Sequence, residues 1–190
     1  MLFPDQVSGF SRVEYLSVFI ALLYAFAVAE FFFGWTRMLR NRDGLTFSVD
    51  HLVFTGIYFW ILLLNWYTLW MRIEYISKGF VFFTISIIPI MVNFLTAVFI
   101  FPDFDKVKDL NEYFDKNFNT IMILFAVYIT MNVLIELYIG VYIWETILHR
   151  VINALLMLTV AVFNLKKLRR PLMAFLIFGI VMGTVKLAFI

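Results

Sequence analysis

Residues 80–101 read FVFFTISIIPIMVNFLTAVFIF and contain no Asp, Glu, Lys or Arg. A helix of roughly 20 residues, rising 1.5 Å per residue, crosses a hydrocarbon layer about 30 Å thick. Apolar residues lie all round this stretch rather than along one stripe, which is the pattern of a helix in lipid and not of a soluble core helix. Outward from it, five further runs of similar length predict helices over Glu14–Trp35, His51–Trp70, Thr120–Gly140, Thr146–Leu165 and Pro171–Ile190. The predicted fold is therefore all-α: one transmembrane domain over residues 1–190, with Phe80–Phe101 the third of six spans.

Composition agrees. Of 190 residues, 64% are hydrophobic and 15% charged, against about 45–50% and 25% in soluble domains. Many of the 24 Phe, 9 Tyr and 5 Trp sit near the ends of the runs, where amphipathic rings prefer to lie. Ala27-Val28-Ala29 resembles a signal-peptidase site. Cleavage is not expected, because the preceding segment has only Arg12 as a basic residue and the apolar run continues through Phe33. Pro171 suits a first helical turn, and Pro89 predicts a kink or local unwinding inside the third span.

The longest connection, Pro102–Asn119, places Phe104, Val107, Leu110, Phe114 and Phe118 three or four residues apart among Asp and Lys. That spacing predicts a short amphipathic helix on the membrane surface between spans three and four. Connections one, three and five carry Arg37, Arg40, Arg42, Lys106, Lys108, Lys116, Lys166, Lys167, Arg169 and Arg170, whereas the other side has Arg12, Arg72, Lys78 and Arg150. The excess assigns the odd connections to the cytoplasm and both termini to the outside.

Polar residues inside the spans carry the functional expectations, because charge in a bilayer is costly and normally faces a bundle interior or water. Glu30 and Glu136 are two such residues. For Glu30, a plain salt bridge to Arg37, two turns away, competes with a functional role. Glu136 lies on one stripe with Tyr128, Asn132 and Gly140. Asn65, Asn93, Asn132 and Asn153 lie in four spans and serve either as interhelical glue or together as a polar interior. Gly179 and Gly183 form a G-x-x-x-G face suited to close helix contact. Lys186 either snorkels to the interface or pairs with Glu136.

Superposing Glu30 on Glu136 also superposes Gly34 on Gly140 and Phe19 on Phe125, the pattern of a 3+3 inverted repeat. The absence of cysteine excludes disulfides and thiolate chemistry. His51 and His149 begin spans at opposite surfaces, so no shared metal or haem is expected. No catalytic motif, cofactor, nucleic-acid partner or soluble partner is indicated.

Leu16-Ser17-Val18 running on to Gly34, His51-Leu52 followed by Asn65-Trp66 and Trp70, and Pro89 leading through Leu95-Thr96-Ala97 to Phe101-Pro102-Asp103 resemble a widespread set of small bacterial multi-span membrane proteins of unassigned function. The resemblance covers roughly the first 120 residues. It implies a bacterial inner membrane and brings no activity with it.

The leading expectation is a small oligomeric channel or transporter for a cation or proton. In it Glu30 and Glu136 bind or relay the ion, and Asn65, Asn93, Asn132, Asn153 and Tyr128 line the path. The alternative is a non-catalytic membrane subunit or sensor that docks a partner through its helix faces. A large water-filled cavity favours transport, and a closed, dry bundle favours the alternative.

Overall fold

A computed structural model describes the backbone of residues 6–7, 10–69, 72–76, 78–140 and 144–188, and the side chains of these except 6, 7, 10, 12, 74, 76, 145 and 186–188. Seven helices follow a two-residue antiparallel pairing of Gln6–Val7 with Phe10–Ser11. They are α1 (Arg12–Arg40), α2 (Val49–Leu69), α3 (the single turn Ile73–Ile76), α4 (Phe80–Ile100), α5 (Leu110–Ile139), α6 (Trp144–Val162) and α7 (Arg169–Ala188). Of these, α1, α2, α4, α5 and α7 are long and apolar enough to cross a membrane; the apolar part of α6, Thr146–Val162, is shorter than the expected fifth span. The chain is a multi-pass membrane bundle. Large apolar side chains such as Phe26, Phe33, Phe80 and Phe178 stand more than half exposed on its outside, the surface a lipid solvent requires.

Helix ends are set by local chemistry. Ser11 and Glu14 form a reciprocal capping box at the start of α1, and Arg37 and Arg40 lie in its last turn, where cations complement the helix dipole. Asp109 caps α5 by accepting from the Asn111 and Glu112 backbone N–H groups at 2.7 and 3.2 Å. Gly140 closes α5 with φ 78°, a left-handed cap that glycine adopts without steric cost.

One expectation is corrected here. The stretch from Leu110 to Phe118 is not a separate surface helix; it is the first part of α5, which runs unbroken to Ile139. No Gly or Pro interrupts it. Its apolar face points inward: Leu110, Phe114 and Phe118 are buried, and Phe114 packs edge-on to His51 and against Phe54. The preceding loop is tied down by backbone bonds from Thr46 N–H to the Lys108 carbonyl and from Leu110 N–H to the Thr46 carbonyl, at 2.8 and 3.0 Å. Amphipathic spacing was legible; the choice of bundle over lipid surface rested on partners from other helices.

α5 is the centre of the bundle, with Ile121, Met122, Phe125 and Ala126 fully buried. Near the Arg- and Lys-rich end, Phe31 stacks on Phe59 at 5.1 Å and meets the Phe101 ring at 5.6 Å. Gly34 makes that packing possible, since a Cβ there would lie inside the Phe101 ring.

The three position pairs of the suggested repeat do not share surroundings. Phe19 is 40% exposed and Phe125 fully buried, while Gly34 lies inside a helix and Gly140 ends one.

Candidate functional site: a buried polar column

Four helices turn polar groups toward one another inside an otherwise apolar bundle. On α2, His51, Thr55, Tyr58 and Asn65 follow helical spacing along one face. α4 contributes Ser86, Asn93 and Thr96; α5 contributes Tyr128, Asn132 and Glu136; α1 contributes Tyr24. All except the half-buried Asn65 are buried, and His51, Thr55, Tyr58, Asn93 and Thr96 are completely so.

The column begins at the end opposite the basic connections. There Arg150 Nη1 donates to both carboxylate oxygens of Glu136, at 2.6 and 2.7 Å. Arg72 donates through Nη2 to Glu136 Oε1 and through Nη1 to Asn132 Oδ1, the latter at 2.9 Å. The Glu136 and Arg72 side chains are 11% and 13% exposed, and Arg150 is 32% exposed. Among the described side chains, two guanidinium groups thus surround one carboxylate, an excess of one formal positive charge.

Just inside lies a cavity of about 30 Å³, whose polar lining is Tyr24, Asn65, Arg72, Ser86, Tyr128 and Asn132. Pro89 also lines it. Having no N–H, Pro89 leaves the carbonyl one turn back, at Ile85, without its helical partner. α4 nevertheless continues through Pro89 to Ile100.

Deeper in, Asn93 Nδ2 donates to the Tyr24 hydroxyl at 3.4 Å, and that hydroxyl donates to the Leu62 carbonyl at 3.3 Å. The Tyr58 hydroxyl donates to the Asn93 carbonyl at 2.7 Å. One turn on, Thr55 donates to the His51 carbonyl at 2.6 Å. His51 Nε2 lies 2.8 Å from the Ile100 carbonyl, a group that the end of α4 leaves without a helical donor. That contact makes Nε2 the protonated nitrogen of the neutral ring and leaves Nδ1 with a free lone pair.

A second ionic cluster closes the basic end. Asp50, 8% exposed at its side chain, accepts from Arg169 at 2.5 Å and Arg170 at 3.1 Å, and Arg169 also pairs with Asp115. The Arg169 guanidinium lies over the Phe114 ring at 5.5 Å.

Three column atoms are buried without a hydrogen-bond partner among the described residues: His51 Nδ1, Asn93 Oδ1 and Tyr128 OH. Such groups cost roughly 1–3 kcal/mol each when left unsatisfied, so each of the three calls for a hydrogen-bonding partner beyond the described side chains.

The sequence-predicted residues divide accordingly. Glu136, Asn132, Tyr128, Asn93 and Asn65 come together in the column. Glu30 does not: it pairs with Arg37 at 3.0 Å along α1 and is 26% exposed at its side chain. Asn153 is buried on α6; its Oδ1 has no hydrogen-bond partner among the described residues, and it is not in the cavity lining. Gly179 meets the His149 ring of α6 so closely that a Cβ could not fit, whereas Gly183 has nothing within 4 Å among the described residues. The two glycines therefore do not act as one face inside the bundle. The side chain of Lys186 lies outside the described residues; the partners of Glu136 within them are Arg72 and Arg150.

Tyr24, Thr55, Tyr58, Ser86 and Thr96 carry no expectation from the sequence, and His51, expected at a surface, is fully buried. The α2 stripe was visible as polar residues at helical spacing. In the sequence Arg72 and Arg150 signal topology only; the structure adds their pairing with Glu136. Among the described residues, no cluster of three or more His, Cys, Asp or Glu has metal-binding geometry. No family model matches the chain, and neither does any curated protein or solved structure.

Proposed function

We propose that the protein is a small membrane channel or transporter that passes protons along this column. The observation that carries the reading is the series of buried polar groups on α1, α2, α4 and α5, with hydrogen-bonding capacity to spare at Tyr128, Asn93 and His51, bracketed by ion-pair clusters. Intramembrane ionisable residues most often mark proton or ion pathways. A hydrated metal cation is a poor fit, because Phe54, Phe114 and Phe125 fill the bundle between the clusters. A proton needs only hydrogen-bonding groups and a few waters.

On this reading the basic end faces the cytoplasm of a bacterial inner membrane and both termini lie outside, following the Lys and Arg excess. The path lies within one chain, and assembly into oligomers would involve the open surface at Gly183.

A second reading is favoured by the same ion pairs taken as permanent. With both ends clamped, the protein is a non-catalytic membrane subunit or sensor. Proteoliposomes separate the two. Under an imposed pH gradient with valinomycin and potassium to clamp the voltage, the wild-type protein should dissipate the gradient faster than empty vesicles. His51→Phe should slow it while leaving the protein folded. Wild-type vesicles as tight as empty ones would remove the transport reading and leave the second.

A further inference from the structure

We infer that the cavity beneath Arg72 is a binding site for a small monovalent anion of halide size. The inference does not depend on proton transport. It starts from charge: the two guanidinium groups share one carboxylate, and only Arg72 of the three reaches the cavity wall. Glu136 does not line the cavity and has both oxygens engaged. Arg72, though paired with Glu136, thus brings guanidinium N–H groups to this wall, and the described cluster carries more positive than negative charge.

Donor chemistry points the same way. Tyr128 is 4% exposed and lines the cavity, and its hydroxyl makes no close hydrogen bond among the described residues, having only the Tyr24 hydroxyl near it. A hydroxyl rotates to present its proton to an acceptor. Ser86 adds a second hydroxyl to the lining. A cation's guanidinium edge with neutral hydroxyl donors suits an anion that carries no directional lone-pair geometry of its own.

Size narrows the class. A polar cavity of ~10–15 Å³ already holds one water, so about 30 Å³ has room for a halide and suits it better than a bulkier anion. Pro89 and Ile90 supply an apolar side to the lining, which a weakly hydrated anion tolerates better than a strongly hydrated one.

The test uses the full-length protein in detergent, exchanged into gluconate and titrated with sodium chloride or sodium bromide at constant ionic strength. Thermal unfolding should rise saturably with either halide and not with gluconate. Tyr128→Phe removes only the open hydroxyl. It should unfold at the wild-type temperature in gluconate and bind halide roughly tenfold more weakly, the loss of one hydrogen bond to a charge. Arg72→Gln should abolish the halide response, and if it fails to fold, Tyr128→Phe decides alone. No halide effect beyond gluconate in the wild type, or equal halide affinity in Tyr128→Phe, overturns the site and leaves a cavity that holds water only.

Discussion

Arg72, in the connection between α2 and α4, binds Glu136 near the far end of α5 and with its other Nη holds Asn132 one turn away at 2.9 Å. A single guanidinium thus joins two rungs of the α5 polar stripe, and Arg150 from α6 completes the cluster. Three segments distant in sequence are tied at one point, and several measurable consequences follow from its charge.

Glu136→Gln strands two arginines in a partly buried position. Removing one partner of such a cluster costs on the order of 3 kcal/mol. The variant should therefore unfold well below the wild type in detergent. The double variant Glu136→Met with Arg72→Met should recover part of the loss, since it removes charge from both sides. Equal stability of Glu136→Gln and wild type would show the cluster to be energetically idle.

The basic end should respond less. Asp50→Asn removes a carboxylate shared by Arg169 and Arg170, but Arg169 keeps Asp115. About 1–2 kcal/mol is expected, below the cost at Glu136, because Arg170 is 80% exposed and regains water. Comparing the unfolding temperatures of the two single variants ranks the clusters directly.

Gly179 and Gly183 should separate on substitution. Gly179→Leu forces a side chain into the His149 ring, and overpacking of this kind costs typically about 1–3 kcal/mol. Gly183→Leu meets no described atom within 4 Å and should leave monomer stability nearly unchanged. If copies of the chain associate through that surface, size-exclusion of Gly183→Leu will show a smaller particle at wild-type stability.

Tyr58→Phe leaves the Asn93 backbone carbonyl without its hydroxyl donor deep in the bundle. It should cost about 1 kcal/mol of stability. On the transport reading it should also slow proton flux, because it breaks the contact joining the α2 stripe to Asn93. Flux equal to wild type would place the proton path away from α2.

Orientation is open to cysteine labelling, since the chain has no cysteine of its own. Asp43, 96% exposed at its side chain, and the exposed Lys78 stand at opposite ends of the bundle; Ser48 is buried and would report poorly. With the basic end in the cytoplasm, an impermeant thiol reagent applied to whole cells should label Lys78→Cys and not Asp43→Cys. The reverse pattern would invert the topology.

What the sequence by itself determined is what one helix can carry. Uncharged runs set the spans, because crossing hydrocarbon is a matter of length and hydropathy along a single segment. The Glu30–Arg37 pair was legible because both ends lie on α1, seven residues apart. The stripe of Tyr128, Asn132 and Glu136 was legible for the same reason. Tertiary structure alone decided the rest. Glu136 took Arg72 and Arg150 as partners, 64 and 14 residues away. Phe114 and Phe118 turned into the bundle instead of onto a surface, and Gly179 received a histidine ring. Each of these outcomes depends on how neighbouring helices rotate and at what depth they meet. Side-chain packing between helices sets both, and hydropathy and period along one chain segment leave them open.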